Sequence, residues 1–376
     1  MTESIFTHTK VKGIVSVIPE NFIQIDDEII FFANSQKKLD RAKKIVGFGK
    51  RHIVPDGITV VDLCEAAGNK LLSSMNIAPV SIDALILVNQ SPDYFYPASS
   101  CILHGKIGLN TNCATFDVAL GCSGYVYGLW LAHSLISSGA VKNCLLLAGD
   151  TPSTHSDKRN RVSNPLFGDA ASATYIEWTE DENPAYFSMG TDGSKWDRIV
   201  VPAGGRRLPI HEDIINMEIK DALGNIWHPW DEIIHGMDVF NFTMDVVPKN
   251  ILNVLHLANK KIDDISFFAI HQANKQIVEN IISKIHIPSD KSSSETFSKY
   301  GNNSTTSVAT VICDILKDRD ISDVVVSGFG VGLSWGSAIL NLSQLYNGGI
   351  EIFKVPNHIT SRTDQIEYWV KQFKEK

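Results

Sequence analysis

Apolar positions along this chain fall into two patterns: short runs that are apolar throughout, and longer stretches that are apolar on one side only. Lys10 to Pro19 carries Val11, Ile14 and Val17 at strand-like spacing, and Asp26 to Arg51 is polar and helix-like, ending in the loop Gly47 to His52. Thr59 to Met75 puts Val60, Leu63, Ala67 and Leu71 on one side of a helix. Ile82 to Val88 is continuously apolar, as in a strand covered on both faces. A short apolar segment with Phe116, Val118 and Leu120 then stops at Gly121. Beyond it Val126, Leu129, Trp130 and Ile136 recur at helical spacing, and Gly139 offers a stop. Cys144 to Ala148 predicts another buried strand. The polar loop Thr151 to Asn164 leads from it to a strand ending at Ile176.

The same order returns in the second half. Met237 to Leu257 reads as a helix, and Ile262 to His271 echoes Ile82 to Val88. Val324 to Gly328 echoes Leu145 to Gly149, both pairs about 180 positions apart, and Gly336 to Leu340 repeats the place of Ala171 to Tyr175. A period this long is no solenoid repeat; it predicts two similar α/β halves, residues 1–180 and 181–376. Residues 180 to 235 are less regular and read as an excursion from the body, with a segment at about 183–235 that shapes a pocket.

Composition narrows the class. The 376 residues carry a net charge of −8 and no long basic run, which argues against nucleic acid or an anionic membrane surface as partner. No apolar run approaches membrane-spanning length, and the N-terminus lacks a basic segment followed by an apolar one. The six cysteines are scattered without C-x-x-C pairs or zinc spacing, which predicts a cytoplasmic protein without a structural metal.

Four features can carry chemistry. Cys122 lies between Gly121 and Gly124, after a strand and at the start of a helix. Free helix N–H groups would favour its thiolate, although most free cysteines are simply small buried hydrophobes. His271-Gln272-Ala273-Asn274 follows a strand directly, where open α/β sheets build sites; a hydrogen-bonded core histidine is the alternative. Tyr300 to Ser307 is a polar turn before the apolar helix Val308 to Leu316, and could be only a cap. Gly328 to Gly336 is a glycine-rich segment whose backbone N–H groups could approach a ligand oxygen.

Together these four motifs resemble β-ketoacyl-acyl-carrier-protein synthase III, of the thiolase superfamily, from about residue 10 to residue 345. A thiolase would add a second cysteine near the glycine-rich segment, and elongating synthases use two histidines; neither holds here. The resemblance implies a duplicated α-β-α-β-α layered fold and a decarboxylative Claisen condensation. In it Cys122 takes an acyl group from a thioester, with the backbone N–H groups of Cys122 and Val331 as oxyanion hole. His271 and Asn303 then stabilise the enolate formed from a malonyl thioester. No metal or organic cofactor is implied. A homodimer is, with Tyr96 reaching the partner's pocket. The resemblance further assigns Arg161, Asn274 and Phe240 to substrate binding, and Lys275 and Lys284 to docking of acyl-carrier protein.

The chain also departs from the family. Arg41 and Ile45 stand where an aromatic and basic clamp would hold coenzyme A, while Gln276 and Asn241 replace basic residues. These changes suggest a specialised relative, primed by a carrier protein or an unusual thioester, in a secondary-metabolite or cell-surface pathway. Two rivals remain: an acyltransferase passing the acyl group to an alcohol or amine, and a non-catalytic subunit binding acyl chains or carrier protein.

Overall fold

The computed structural model describes residues 1–155, 157–221, 224–357 and 359–375. Its body is built on strands β1 (Thr2–Phe6), β2 (Thr9–Pro19), β3 (Ala84–Val88), β4 (Ala114–Val118), β5 (Asn143–Asp150), β6 (Ala170–Trp178), β7 (Ala185–Thr191), β8 (Ile199–Val200), β9 (Ile233–Ile234), β10 (Phe267–Ile270), β11 (Asp323–Gly330), β12 (Ser334–Asn341) and β13 (Tyr346–Phe353). The helices that matter below are α1 (Val60–Ser74), α2 (Gly124–Ser137), α3 (Gly236–Leu257), α4 (Lys275–Lys284) and α5 (Ser307–Ile315).

Two sheets carry the core. One has the order β13-β2-β6-β5-β3-β4 and the other β1-β7-β12-β11-β10. Helices α2 and α5 lie between the sheets and touch strands of both. Helix α1 covers the outside of the first sheet, and α3 and α4 cover the outside of the second. The layers therefore run α-β-α-β-α. Strand side chains alternate between two apolar environments. Cys144, Leu146 and Ala148 face the central helices while Leu145 and Leu147 face α1. Val324 and Val326 face the centre and Val325 faces outward. Burial on both faces is why these strands read as unbroken apolar runs. Local signals agree at α1, where Thr59 and Asp62 form a capping box, the Thr59 N–H donating to the carboxylate at 3.0 Å.

The halves do not divide at residue 180. Strand β1 pairs antiparallel with β7 in the second sheet, while the late strand β13 lies parallel to β2 in the first. Each sheet thus recruits a strand from the far end of the chain. Nor is all of 180–235 an excursion: Ala185–Thr191 is strand β7, held between β1 and β12. The duplication is incomplete at one edge. Strand β4 extends the first sheet, whereas among the described residues the free side of β10 has only the isolated bridge Phe268–Ser292.

Candidate active site

Strand β4 ends at Val118, and a turn with Gly124 N–H donating to Gly121 O (2.7 Å) carries the chain through Cys122 into α2. Strand β11 passes directly over this turn. A Cβ at Gly330 would lie 2.8 Å from Cys122 Cβ, and one at Gly328 would lie 2.7 Å from the Cys122 carbonyl oxygen. Glycine is what permits the approach. Both residues lie within the strand, so the glycine-rich segment is a hairpin between β11 and β12 rather than a free loop. Gly328→Ala should lower unfolding stability by about 1–3 kcal/mol. Denaturant titration reads this directly; an unchanged midpoint would mean that the strand can move aside.

Cys122 opens onto a cavity of about 660 Å³, its wall mostly apolar. His271, just past the end of β10, lines it, as do Asn302, Ser304, Asn274 and Val331. The His271 N–H donates to Ser327 O at 2.8 Å, and its ring meets Phe329 edge to face. Burial pushes the imidazole down to about 3, so it is neutral. The backbone N–H groups of Cys122 and Val331 donate to no oxygen among the described residues. Two donors therefore remain available beside the sulfur.

The thiol is not held as thiolate. Burial pushes it up to about 12, with Glu232 and Asp150 adding to the effect and a hydrogen bond from Ser304 opposing it. Part of the helix's first turn is satisfied within the turn itself. Gly124, Val126 and Tyr127 donate to the carbonyls of Gly121 and Ser123.

The asparagine facing the cavity is Asn302, not Asn303. Asn303 turns its amide away, donating to Gly168 O and Tyr300 O at 3.2 Å each. Asn302 forms a short extended bridge with Phe167, its N–H donating to Leu166 O and its carbonyl accepting from Gly168. The two neighbouring amides thus point to different sides, and one residue decides the assignment. Asn302 Oδ1 accepts the Ser304 N–H at 3.0 Å, and Nδ2 has no partner among the described residues.

Other assignments also change. Phe240 packs into the core outside the second sheet, while Val239 and Thr243 on the same helix line the cavity. Lys284 is engaged structurally. Pro248 inside α3 has no N–H for the Met244 carbonyl, and Lys284 Nζ donates to that oxygen at 2.8 Å. Asn274 caps α4 through Ile277 N–H at 2.9 Å while also lining the cavity. Arg161 is half-buried beside the lining residue Val162, its N–H donating to Asn225, but does not itself line the wall. Tyr96 is 79% exposed and lies outside the cavity.

Sequence reasoning missed Gln90, Asp150, His155 and Glu232, all on the cavity wall. Asp150 accepts from Gln90 N–H at 2.7 Å and from Ser91 Oγ at 3.1 Å, tying strand-end loops together. Glu232 is pushed up to about 7 by burial and by Asp150. No local pattern in Asp231-Glu232-Ile233-Ile234 sets it apart, since two acidic residues simply precede two apolar ones. A carboxyl that holds its proton more tightly when folded loses stability as pH climbs past its unfolded value. Glu232→Gln should therefore gain stability relative to the native protein between about pH 5 and about pH 8. Paired melting curves across that window check this, and parallel curves would contradict it. Among the described residues, no cluster of three or more His, Cys, Asp or Glu is arranged to hold a metal ion.

Residues 116–193 match the family model described as 3-oxoacyl-[acyl-carrier-protein (ACP)] synthase III, and residues 255–342 match its C-terminal model. A Campylobacter jejuni relative, described provisionally as a 3-oxoacyl-[acyl-carrier-protein] synthase 3, is 38% identical over 93% of this chain and 98% of its own length. A β-ketoacyl-[acyl-carrier-protein] synthase III of Clostridium perfringens is 30% identical over 89% of this chain and 99% of its own. The crystal structure of a 3-oxoacyl-(acyl-carrier protein) synthase from Burkholderia xenovorans superposes with a TM-score of 0.86 at 32% identity, covering 94% of this chain and 99% of that one. With the layered fold and a cysteine, a histidine and an asparagine around one cavity, these likenesses show that the chain belongs to the β-ketoacyl-acyl-carrier-protein synthase III family of thiolase-fold enzymes.

Proposed function

We propose that the cavity joins an acyl thioester to a malonyl thioester by decarboxylative Claisen condensation. The observation that carries this reading is the convergence of Cys122, His271 and Asn302 beside two unengaged backbone N–H groups. Cys122 Sγ attacks the acyl carbonyl carbon, whose oxygen is held by the N–H groups of Cys122 and Val331. The carbon–sulfur bond to the donor breaks, and the thiol proton leaves with the departing thiol. A malonyl thioester then loses carbon dioxide, and the electron pair of the broken bond becomes an enolate on the thioester. His271 Nε2 and Asn302 Nδ2 donate hydrogen bonds to that enolate oxygen. Its carbon attacks the acyl group on Cys122, the carbon–sulfur bond breaks to release a β-ketoacyl thioester, and the Cys122 thiolate takes a proton from solvent to restore the thiol. A neutral imidazole suits this role, since decarboxylation itself generates the nucleophile and no base is needed.

The donor is read as an acyl-carrier protein. Arg41 and Ile45 are both exposed and supply no aromatic clamp for an adenine ring. Lys275, which opens α4 directly after the cavity residue Asn274, is the remaining basic candidate for docking. A cytoplasmic homodimer completes the reading. The run Tyr94, Phe95, Tyr96 is exposed, and all six cysteines are free thiols.

The test is intact-protein mass spectrometry with acyl-CoA and acyl-carrier-protein donors, followed by malonyl-carrier protein. An adduct on Cys122 that is discharged as a β-ketoacyl product is the expected result. An adduct that resists malonyl-carrier protein but is removed by an alcohol or amine would replace condensation with simple acyl transfer. No adduct from any donor would leave only a binding role.

A further inference from the structure

Two carboxyl groups face the cavity, and the protein treats them differently. Asp150 is surrounded by donors from Gln90, Ser91, Ser304 and Thr305. Glu232 accepts no hydrogen bond and forms no ion pair with any described residue. Its position is nevertheless fixed. The neighbouring Asp231 is fully buried and accepts the N–H groups of Asp157 (2.9 Å) and His228 (2.8 Å), anchoring the chain just before β9. Strand β9 pairs with β8, Ile234 opposite Ile199, and the two-residue alternation brings Glu232 and Ile234 to the same wall.

The surroundings supply nothing to balance it. Trp196, Ile199, Val201 and Val239 contribute apolar wall, and among the described residues no lysine or arginine lines the cavity. Burial lowers both cavity histidines, His155 and His271, which keeps them neutral. Glu232 is half-buried on the cavity wall, so a ligand that fills the cavity without offering a donor leaves its carboxyl unpaired, whereas a ligand that brings a donor does not. Glu232 and Cys122 line the same cavity of about 660 Å³, so an acyl group held on that sulfur lies in the space the carboxyl faces.

We infer that Glu232 selects acyl groups carrying a hydrogen-bond donor, a hydroxyl or an amino group, near the thioester carbonyl. The inference rests on the acyl-thioester reading of the cavity. An unsubstituted chain would bury the carboxyl against hydrocarbon, so discrimination works in both directions.

Non-reactive amide analogues of pantetheine thioesters separate this inference from catalysis. Calorimetry would compare butyryl, 3-hydroxybutyryl and 3-aminobutyryl amides on the native protein, Glu232→Leu and Glu232→Gln, each shown to melt cooperatively. The native protein should bind a substituted amide at least about tenfold more tightly than the butyryl amide. Glu232→Leu should lose that preference and bind the butyryl amide better. Glu232→Gln should keep a preference for the hydroxyl and lose one for the amine, which tells the two donors apart. Equal ratios in the native protein and Glu232→Leu, or no binding of any amide, would overturn the inference. Failure to acylate Cys122 with the binding ratios intact would instead remove the condensation reading and leave this one in place.

Discussion

Cys122→Ala will form no acyl adduct and will lose about 10⁴-fold or more of the condensation rate. No other thiol can take over. Cys64, Cys113, Cys144 and Cys313 are buried, and Cys101 is exposed on a different helix; none lines the cavity. Strand β11 crosses so close to the Cys122 side chain that the smaller alanine fits without repacking, so the fold should persist. Intact mass after incubation with acyl donors is the measurement. An adduct on the alanine variant would mean that another side chain is the nucleophile.

The second large effect separates two neighbouring asparagines. Asn302→Ala should still accept the acyl group on Cys122 but slow its discharge by malonyl-carrier protein about 10²- to 10³-fold, the effect of removing one oxyanion donor. Asn303→Ala should act on stability instead. Its amide satisfies the carbonyls of Gly168 and Tyr300, and leaving buried carbonyls unpaired costs about 1–3 kcal/mol. Single-turnover discharge of pre-acylated protein, paired with denaturation of each variant, gives both numbers. Selective loss of discharge in Asn303→Ala with Asn302→Ala unaffected would reverse the assignment.

The thiol places a demand on the first half-reaction. A neutral sulfur pushed up to about 12 is a poor nucleophile, so its proton must pass to the departing donor thiol in the course of acyl transfer. Glu232 contributes to that resting state and also lines the cavity onto which the sulfur opens. One residue thus couples the resting protonation of the nucleophile to the chemistry of the chain it accepts.

The strands that carry the core could be read from the chain alone. A strand buried on both faces must be apolar throughout, and Ile82–Val88, Cys144–Ala148 and Val324–Gly328 meet that condition locally. The duplication was readable for the same reason, since similar layers demand similar runs. Cys122 stood out because it follows a strand and sits between glycines, and His271 because it directly follows an apolar strand. What the sequence could not decide depended on direction and surroundings. Asn302 and Asn303 have the same chemistry, and only the extended bridge to Phe167 determines which amide faces the cavity. The thiol's protonation follows from burial and from two carboxyl groups distant in the chain. The terminal strands cross between halves because edge pairing is a non-local match that a hydrophobic period does not encode. Glu232 appears in sequence as one polar residue in an irregular segment; only the pairing of β8 with β9 turns it into the cavity.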